Sequence, residues 1–443
     1  MHDYDYQNII FLLILVVALY FFISNLRKII SNIKLGRDIN RSDNRKLRFK
    51  NMFRVAMGQS KMFDRPIAAI LHLFVYIGFI IINIEVIEIL IDGVFGTHRF
   101  LAHIINLNLY NFLIASFEIL AFLVIFSCII FLIRRNIIKI MRFRSKEMTK
   151  WPKTDANLIL IFEILLMTAF LIMNTADSLL QIKDQENYFA AGLFPISSNL
   201  VFLFDSFSVE SLFIIERFTW WFHILGILLF MNYVLISKHL HIFFAFPSTY
   251  FANINNLGKI DNLVSVTNEV KLMLDPNTDP YSSQSLDDST IEKLPQLFGA
   301  RDATDLNWVQ LLNSYSCTEC GRCSSVCPAN QTGKLLSPRK IMMDTRDRIE
   351  EIGKNNDNND QKFLLGDYIT NEEIWACTTC NACTDACPID LDPLSIIVDL
   401  RRYLVMEESS APTELNNMFS NIENNGAPWQ FPASDRLKWL DNN

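Results

Sequence analysis

The chain has 443 residues, 51% of them hydrophobic, and sets 40 lysines and arginines against 47 aspartates and glutamates, for a formal charge of −7. A mildly acidic balance offers no basic footprint for nucleic acid, which excludes that class of partner. Eight of the nine cysteines fall in two tight runs toward the C-terminal end, which excludes a disulfide-stapled secreted scaffold.

Almost all the long apolar runs lie before residue 250. Five of them, at about 9–25, 67–91, 109–133, 156–176 and 218–237, approach the roughly 20 residues that cross a bilayer as a helix. Asp3 and Asp5 precede the first run where a signal peptide carries lysines, and no small-residue cleavage pattern follows. It is expected to be a true span. Loop charge then orients the bundle. Twelve lysines and arginines fall between Arg27 and Arg65 and eight between Arg134 and Lys153, against only Arg99, Lys183 and Arg217 in the loops at 92–108 and 177–217. Basic loops stay in the cytoplasm, so the N-terminus is expected outside and the C-terminal part inside.

Three of the seven histidines fall within the spans. His72 follows Pro66 by about two turns in the second, where Asp64 and Pro66 mark a helix start on the cytoplasmic side. His223 and His241 stand 18 residues apart in the fifth, about five turns of helix, which sets them on one face and roughly 27 Å apart along the axis. A flat haem b slots between helices and takes one axial imidazole from each side, and by depth His72 pairs with His241. For an outer haem, His223 meets Ile82 at its depth in the second span, with His98 and His103 as substitutes. Any one membrane histidine is as well explained by an interhelical hydrogen bond or a proton path. Three at matched depth and phase point to at least one haem. His239 falls on nearly the opposite helix face from His241 and reads as interfacial.

Glu85, Glu88 and Asp92 in the second span, Glu118 in the third and Glu163 in the fourth are costly in a bilayer, which makes them candidates for quinone or proton handling. Snorkelling, or pairing with Arg99 or Arg217, is the plainer alternative. Cys128 sits in an apolar helix pattern and reads as a small buried residue.

A polar connector follows, Asp-Pro-rich at Asp275–Tyr281 and Ser/Asp-rich at Ser282–Thr290. Each cysteine run then reads C-x2-C-x2-C-x3-C-P: Cys317, Cys320, Cys323 and Cys327 with Pro328, and Cys377, Cys380, Cys383 and Cys387 with Pro388. Three cysteines at every third position of a tight loop converge on one side, as a 4Fe-4S cubane needs, and the fourth usually crosses to the neighbouring cluster. Cys317, Cys320, Cys323 and Cys387 are therefore assigned to one cluster, and Cys377, Cys380, Cys383 and Cys327 to the other. Zinc knuckles would need neither the third cysteine nor the x3-C-P step. Thiolate ligands favour a reducing compartment, which agrees with the side inferred from loop charge. About fifty residues separate the runs, with a helical pattern from Pro338 to Ile352 and a polar loop at Asn355–Asp360. That insertion suits a largely helical ferredoxin, of the kind in succinate dehydrogenase iron-sulfur subunits, better than a small one.

The membrane half resembles the haem b gamma subunit of respiratory nitrate reductase, through five spans, an outside N-terminus, one histidine in span two and two histidines 18 apart in span five. In that family a second histidine stands ten residues after the first, where this chain has Ile82. The soluble half is similar to heterodisulfide-reductase-like iron-sulfur oxidoreductases, through Ser316-Cys317-Thr318-Glu319-Cys320-Gly321-Arg322-Cys323, Leu336-Ser337-Pro338-Arg339-Lys340 and Trp375-Ala376-Cys377-Thr378-Thr379-Cys380. Its tail, with Met418-Phe419, Pro428-Trp429 and Trp439, is similar to the segment that in fused members leads into a domain with cysteine-rich CCG motifs.

Together the resemblances imply a quinone-linked electron carrier of a bacterial or archaeal cytoplasmic membrane. Its substrate-facing half would lie in a cytoplasmic partner, a CCG-domain iron-sulfur subunit or a flavoprotein. No catalytic nucleophile, glycine-rich nucleotide loop or flavin signature stands in the sequence, so catalysis is expected on that partner. The expected fold is all-α, a five-helix transmembrane bundle followed by a cytoplasmic helical ferredoxin-like domain with two 4Fe-4S clusters. Its parts are a haem b-type membrane domain at 1–250, a connector at 251–300, the ferredoxin domain at 301–410 and a partner-docking tail at 411–443. Two alternatives remain: a disulfide-type reductase subunit running from quinol to a CCG-domain partner, and a haem-free membrane-anchored iron-sulfur protein.

Overall fold

A computed structural model of the protein describes residues 4–276, 297–354 and 361–440. Helix α1 (Tyr4–Ile33) and the short α2 (Arg45–Met52) precede α3 (Pro66–Phe95), α4 (Phe100–Ile104), α5 (Leu107–Asn136), α6 (Trp151–Lys183) and α7 (Val209–Val234). α1, α3, α5, α6 and α7 are long and apolar enough to cross a membrane. At 26 to 33 residues they reach roughly 40–50 Å, more than the roughly 30 Å hydrocarbon layer, so their ends project into both interfaces.

Their termini follow local chemistry. Pro66 opens α3, where its missing N–H costs nothing, and Gly96 closes it at φ 68°, donating to Asp92 O. Asn106 caps α5 and Ser208 caps α7, each accepting a backbone N–H two or three residues on. Within the bundle α3 packs on α5, α5 on α6 and α6 on α7, with α1 against α3 and α7. Close approach relies on glycine: Gly78 meets Val124, Gly226 meets Leu166 and Gly93 meets the Phe11 ring, which is how helices associate where lipid competes equally for apolar surface.

The fifth span differs from the expectation. It begins at Val209 and ends at Val234; Ser237 then caps a single turn, accepting from His239 N, and α8 (His241–Phe251) starts afresh. His223 and His241 therefore lie on different helices. The apolar run stops at Ile236 and gives way to Ser237, Lys238 and His239 before Leu240, a polar step that coincides with the break. Asp155 makes it, accepting from Tyr233 Oη, Ser237 Oγ and the Lys238 amide.

After α9 (Val264–Leu274), the second half runs through α10 (Trp308–Ser316), α11 (Arg322–Val326), α12 (Pro328–Gln331), α13 (Pro338–Lys354), α14 (Asn371–Trp375), α15 (Ala382–Asp385), α16 (Pro393–Met406) and α17 (Thr413–Asn425). No strand occurs among the described residues, and the fold is all-α with five candidate membrane helices and a helical cluster region. The connector beyond Pro276 and the loop at 355–360 lie outside the described residues. α17 buries no side chain.

The two halves share one core. Leu311, Ile341, Ile349, Ile374, Ile396 and Leu400 of the second half pack in the same apolar cluster as Ile29, Ile33, Leu240 and Phe244 of the first. The chain just after α1 lies directly on the start of α10, with Arg37 N donating to Leu306 O at 2.8 Å and Trp308 N to Arg37 O at 3.1 Å. Gly36 permits this, because a Cβ there would sit 2.8–2.9 Å from backbone atoms of Leu306, Asn307 and Trp308. The second half is thus seated on the face that carries the basic loops.

Candidate functional site

The two cysteine runs fold as a repeat. A helix leads in (α10, α14), a loop carries the first two cysteines, a one-turn helix carries the third (α11, α15), and a Cys-Pro step follows. In both, the residue before the second cysteine and the residue after it are left-handed: Glu319 (φ 54°) and Gly321 (φ 69°), then Thr379 (φ 55°) and Asn381 (φ 61°). Two left-handed residues around the second cysteine curl the loop, and Gly and Asn tolerate that conformation best.

Burial pushes the Cys323 thiol well up, and Cys320, Cys317, Cys387 and Cys383 beside it push it further. Burial raises Cys387 likewise, with Cys320 and Cys317 adding. In the second run burial raises Cys377, with Cys327 and Cys380 among its neighbours, and lifts Cys383 to about 12 with Cys377 nearby. Cys387 thus stands with the first three cysteines, and Cys327 beside the second run. Among the described residues no three His, Cys, Asp or Glu side chains converge closely enough for a single ion; a cubane holds its thiolates farther apart than one zinc does. The Thr379 amide donates to Cys377 Sγ at 3.4 Å, the contact that stabilises a ligating thiolate. The donor set fits the clusters.

His72 on α3 and His241 at the head of α8 face each other, ring centres 6.5 Å apart. Two imidazoles on one iron need about 6 Å, from about 2 Å per metal–nitrogen bond and about 1 Å from each nitrogen to its ring centre. His72 Nδ1 donates to Gln59 Oε1 at 3.1 Å and His241 Nδ1 to Lys238 O at 3.0 Å. A carbonyl oxygen only accepts, so both rings are protonated at Nδ1 and keep the Nε2 lone pair for a metal. His223 has the same bond, Nδ1 to Leu166 O at 2.9 Å, but the ring it packs on is Phe170. His98 pairs with Asp177 and His103 stacks on Phe189. His239 is not on the far face: the turn before α8 brings its ring to 5.3 Å from His241 and 5.6 Å from Phe230.

Most of the membrane carboxylates hold the loops at the end of the bundle away from the cysteine runs. Asp92 accepts from the Arg99 and Phe100 amides, Glu88 from Leu101 N and Tyr110 Oη, and Glu118 from Asn174 and the Ile196 and Ser197 amides. Buried Arg99 pairs at 2.6 Å with Asp177, a partner that hydropathy did not single out, and Glu216 pairs with Arg217. Glu163, in the middle of α6, holds no loop, and Glu85 is 3% exposed with its Oε2 unpartnered. Glu85 lines a small pocket with Arg99, Arg217 and Trp220, next to a cavity of about 700 Å³ walled by Phe11, Tyr188, Phe213, Trp220 and Trp221.

Between the halves lies an ionic network that charge counting had assigned to topology alone. Arg339 is fully buried and pairs with Glu147 at 2.8 Å; Lys61 pairs with Asp390 at 2.7 Å; Arg65 donates to Ser325 Oγ. Arg322, next to Cys323, donates to Lys61 O at 2.8 Å. Lys238 pairs with Glu319, which also meets Arg346 at 3.0 Å.

Residues 313–391 match the family of 4Fe-4S dicluster domains. The chain is 28% identical to a probable iron-sulfur-binding oxidoreductase, FadF, of Bacillus subtilis, over 98% of this chain and 60% of the relative. It is 25% identical to an EtfAB:quinone oxidoreductase of Syntrophomonas wolfei, again over 98% of this chain and 60% of that one. One subunit of a CoB-CoM heterodisulfide reductase of Methanosarcina acetivorans is 34% identical over 23% of this chain and 52% of its own. The chain thus spans about 60% of the length of the first two relatives. No solved structure matches it. The relatives are iron-sulfur oxidoreductases and heterodisulfide reductase subunits, and the chain carries a 4Fe-4S dicluster domain on a membrane-embedded helical bundle.

Proposed function

We propose that this protein is the membrane electron-transfer subunit of a quinone-linked oxidoreductase, joining cytoplasmic 4Fe-4S clusters to the quinone pool through haem b. The observation that carries the reading is the His72–His241 pair, its Nε2 atoms free and its rings spaced for one iron, next to the first cysteine loop. Clusters and haem, when bound, supply one-electron steps, which connect a two-electron donor to a quinone. Cys317, Cys320, Cys323 and Cys387 would hold one cluster and Cys377, Cys380, Cys383 and Cys327 the other. His223 would serve a second haem only with a ligand from outside its present contacts.

The membrane domain's likeness to the nitrate reductase gamma subunit belongs to this reading, as does the orientation with the N-terminus outside, supported by the basic loops on the cluster side. The Glu85 pocket and its aromatic-walled cavity suit a quinone ring, with Glu85 to hold or pass a proton. A CCG-domain iron-sulfur subunit or a flavoprotein would exchange electrons at the exposed Cys380 side, and the tail, with Phe419, Trp429 and Trp439 exposed, would dock it. The reading is tested by an optical and EPR redox titration of the detergent-purified protein, with iron, haem and quinone assayed together. Two cluster signals with low-spin haem b support it. Clusters without haem would leave a membrane-anchored iron-sulfur protein instead.

A further inference from the structure

Lys238 touches both redox regions at once. Its carbonyl accepts from His241 Nδ1 at 3.0 Å. Its amide donates to Asp155 Oδ2 at 3.2 Å, and its ammonium donates to Pro152 O at 2.6 Å. The same ammonium pairs with the carboxylate of Glu319, the residue just before Cys320. Glu319 is 3% exposed, is held in a left-handed conformation at φ 54°, and has Arg346 of α13 as its second partner. A side chain other than glycine is strained there and stays only where its surroundings hold it. α8 ties the same regions a second time, through Ser248 Oγ and Ser316 Oγ at 2.5 Å, one residue before Cys317.

From this geometry we infer that Lys238 is a positioning residue. Its buried pair with Glu319 fixes the carbonyl that sets the His241 tautomer and, with the same bond, the first cysteine loop. The membrane ligand and the cluster loop then move as one body. A ligand's second hydrogen bond governs its orientation and basicity, so a change at Glu319, in the other half of the molecule, should be felt by the haem. The inference rests on the haem reading above.

The test uses the full chain in detergent, as Lys238→Met, Lys238→Arg, Glu319→Gln and the Lys238→Met/Glu319→Gln double variant. Haem is quantified as pyridine haemochrome, its low-spin EPR g-values and midpoint potential are recorded, and amide hydrogen exchange is followed at 237–241 and 318–322. The expected result is that Lys238→Met and Glu319→Gln retain haem, shift its g-values and potential the same way, and exchange faster at both segments. Lys238→Arg should lie nearer the parent, and the double variant should add little. Should Lys238→Met fail to accumulate, Glu319→Gln carries the same expectation, since it leaves Lys238 its bonds to Pro152 and Asp155. Haem present with unchanged g-values and potential in Glu319→Gln overturns the inference alone. A parent protein with clusters and no haem overturns the haem reading and this inference with it.

Discussion

Single side chains decide which redox groups this chain can hold. Under the haem proposal Gln59 and Lys238 matter as much as the two imidazoles, because their carbonyl oxygens hold the proton on Nδ1 and would leave Nε2 for iron. His72→Ala or His241→Ala should abolish the inner haem absorbance at unchanged iron content, and Gln59→Leu should weaken haem retention by about 10–100-fold; full haem in both alanine variants would break the pairing. In the cluster domain, burial pushes the Asp344 carboxyl up to about 6 from an ordinary 3.8, against Lys340 and with Glu373 and Asp347 adding. The folded chain then binds that proton more tightly than the unfolded one, so this group's contribution is fully present below about pH 4 and is lost as pH rises through about 6. Melting curves between pH 5 and 7 should show Asp344→Asn losing less Tm than the parent. Parallel slopes would show that Asp344 stays ionised.

At the scale of elements, turns and close approaches control the geometry. Asn381 holds the left-handed position that Gly321 holds in the first run. Asn381→Gly should load iron normally, while Asn381→Val, strained at φ 61°, should lose iron from the second run first; equal loading of both would mean the turn is not needed to gather the thiols. Gly36 is the matching case at the junction. A methyl there meets only backbone, which cannot swing aside, so Gly36→Ala should cost about 1–3 kcal/mol and loosen the seat of α10. Protease sensitivity at the segment after α1, rising in the variant, reports it.

For the whole molecule, the shared core and buried ion pairs make membrane and cluster halves one mechanical unit. Arg339 has no water to fall back on if Glu147 is removed, and breaking such a pair costs about 3–5 kcal/mol. The same arrangement ties the cluster side to the basic-loop side. In intact cells an impermeant thiol reagent should label Asn187→Cys, in a loop on the opposite face, and spare Lys334→Cys in the cluster domain. The reverse pattern would invert the orientation.

By itself the sequence determined the number and class of spans, the helical character of the cluster region and the two cysteine runs, because bilayer thickness and cubane ligation both impose spacings that survive in one dimension. The depth argument that set His72 against His241 rests on a continuous fifth helix, whereas that helix breaks at Ser237, and the break depends on Asp155, 82 positions away. Only the tertiary structure decided that His239 turns toward His241, that Arg99 belongs to Asp177, that Glu85 is buried with an unpartnered oxygen, and that Lys238 reaches Glu319. The Arg99 and Lys238 pairings are contacts between segments 78 and 81 positions apart, in a space from which water is excluded. There the partner a charge finds depends on how helices pack, and no periodicity along the chain records it.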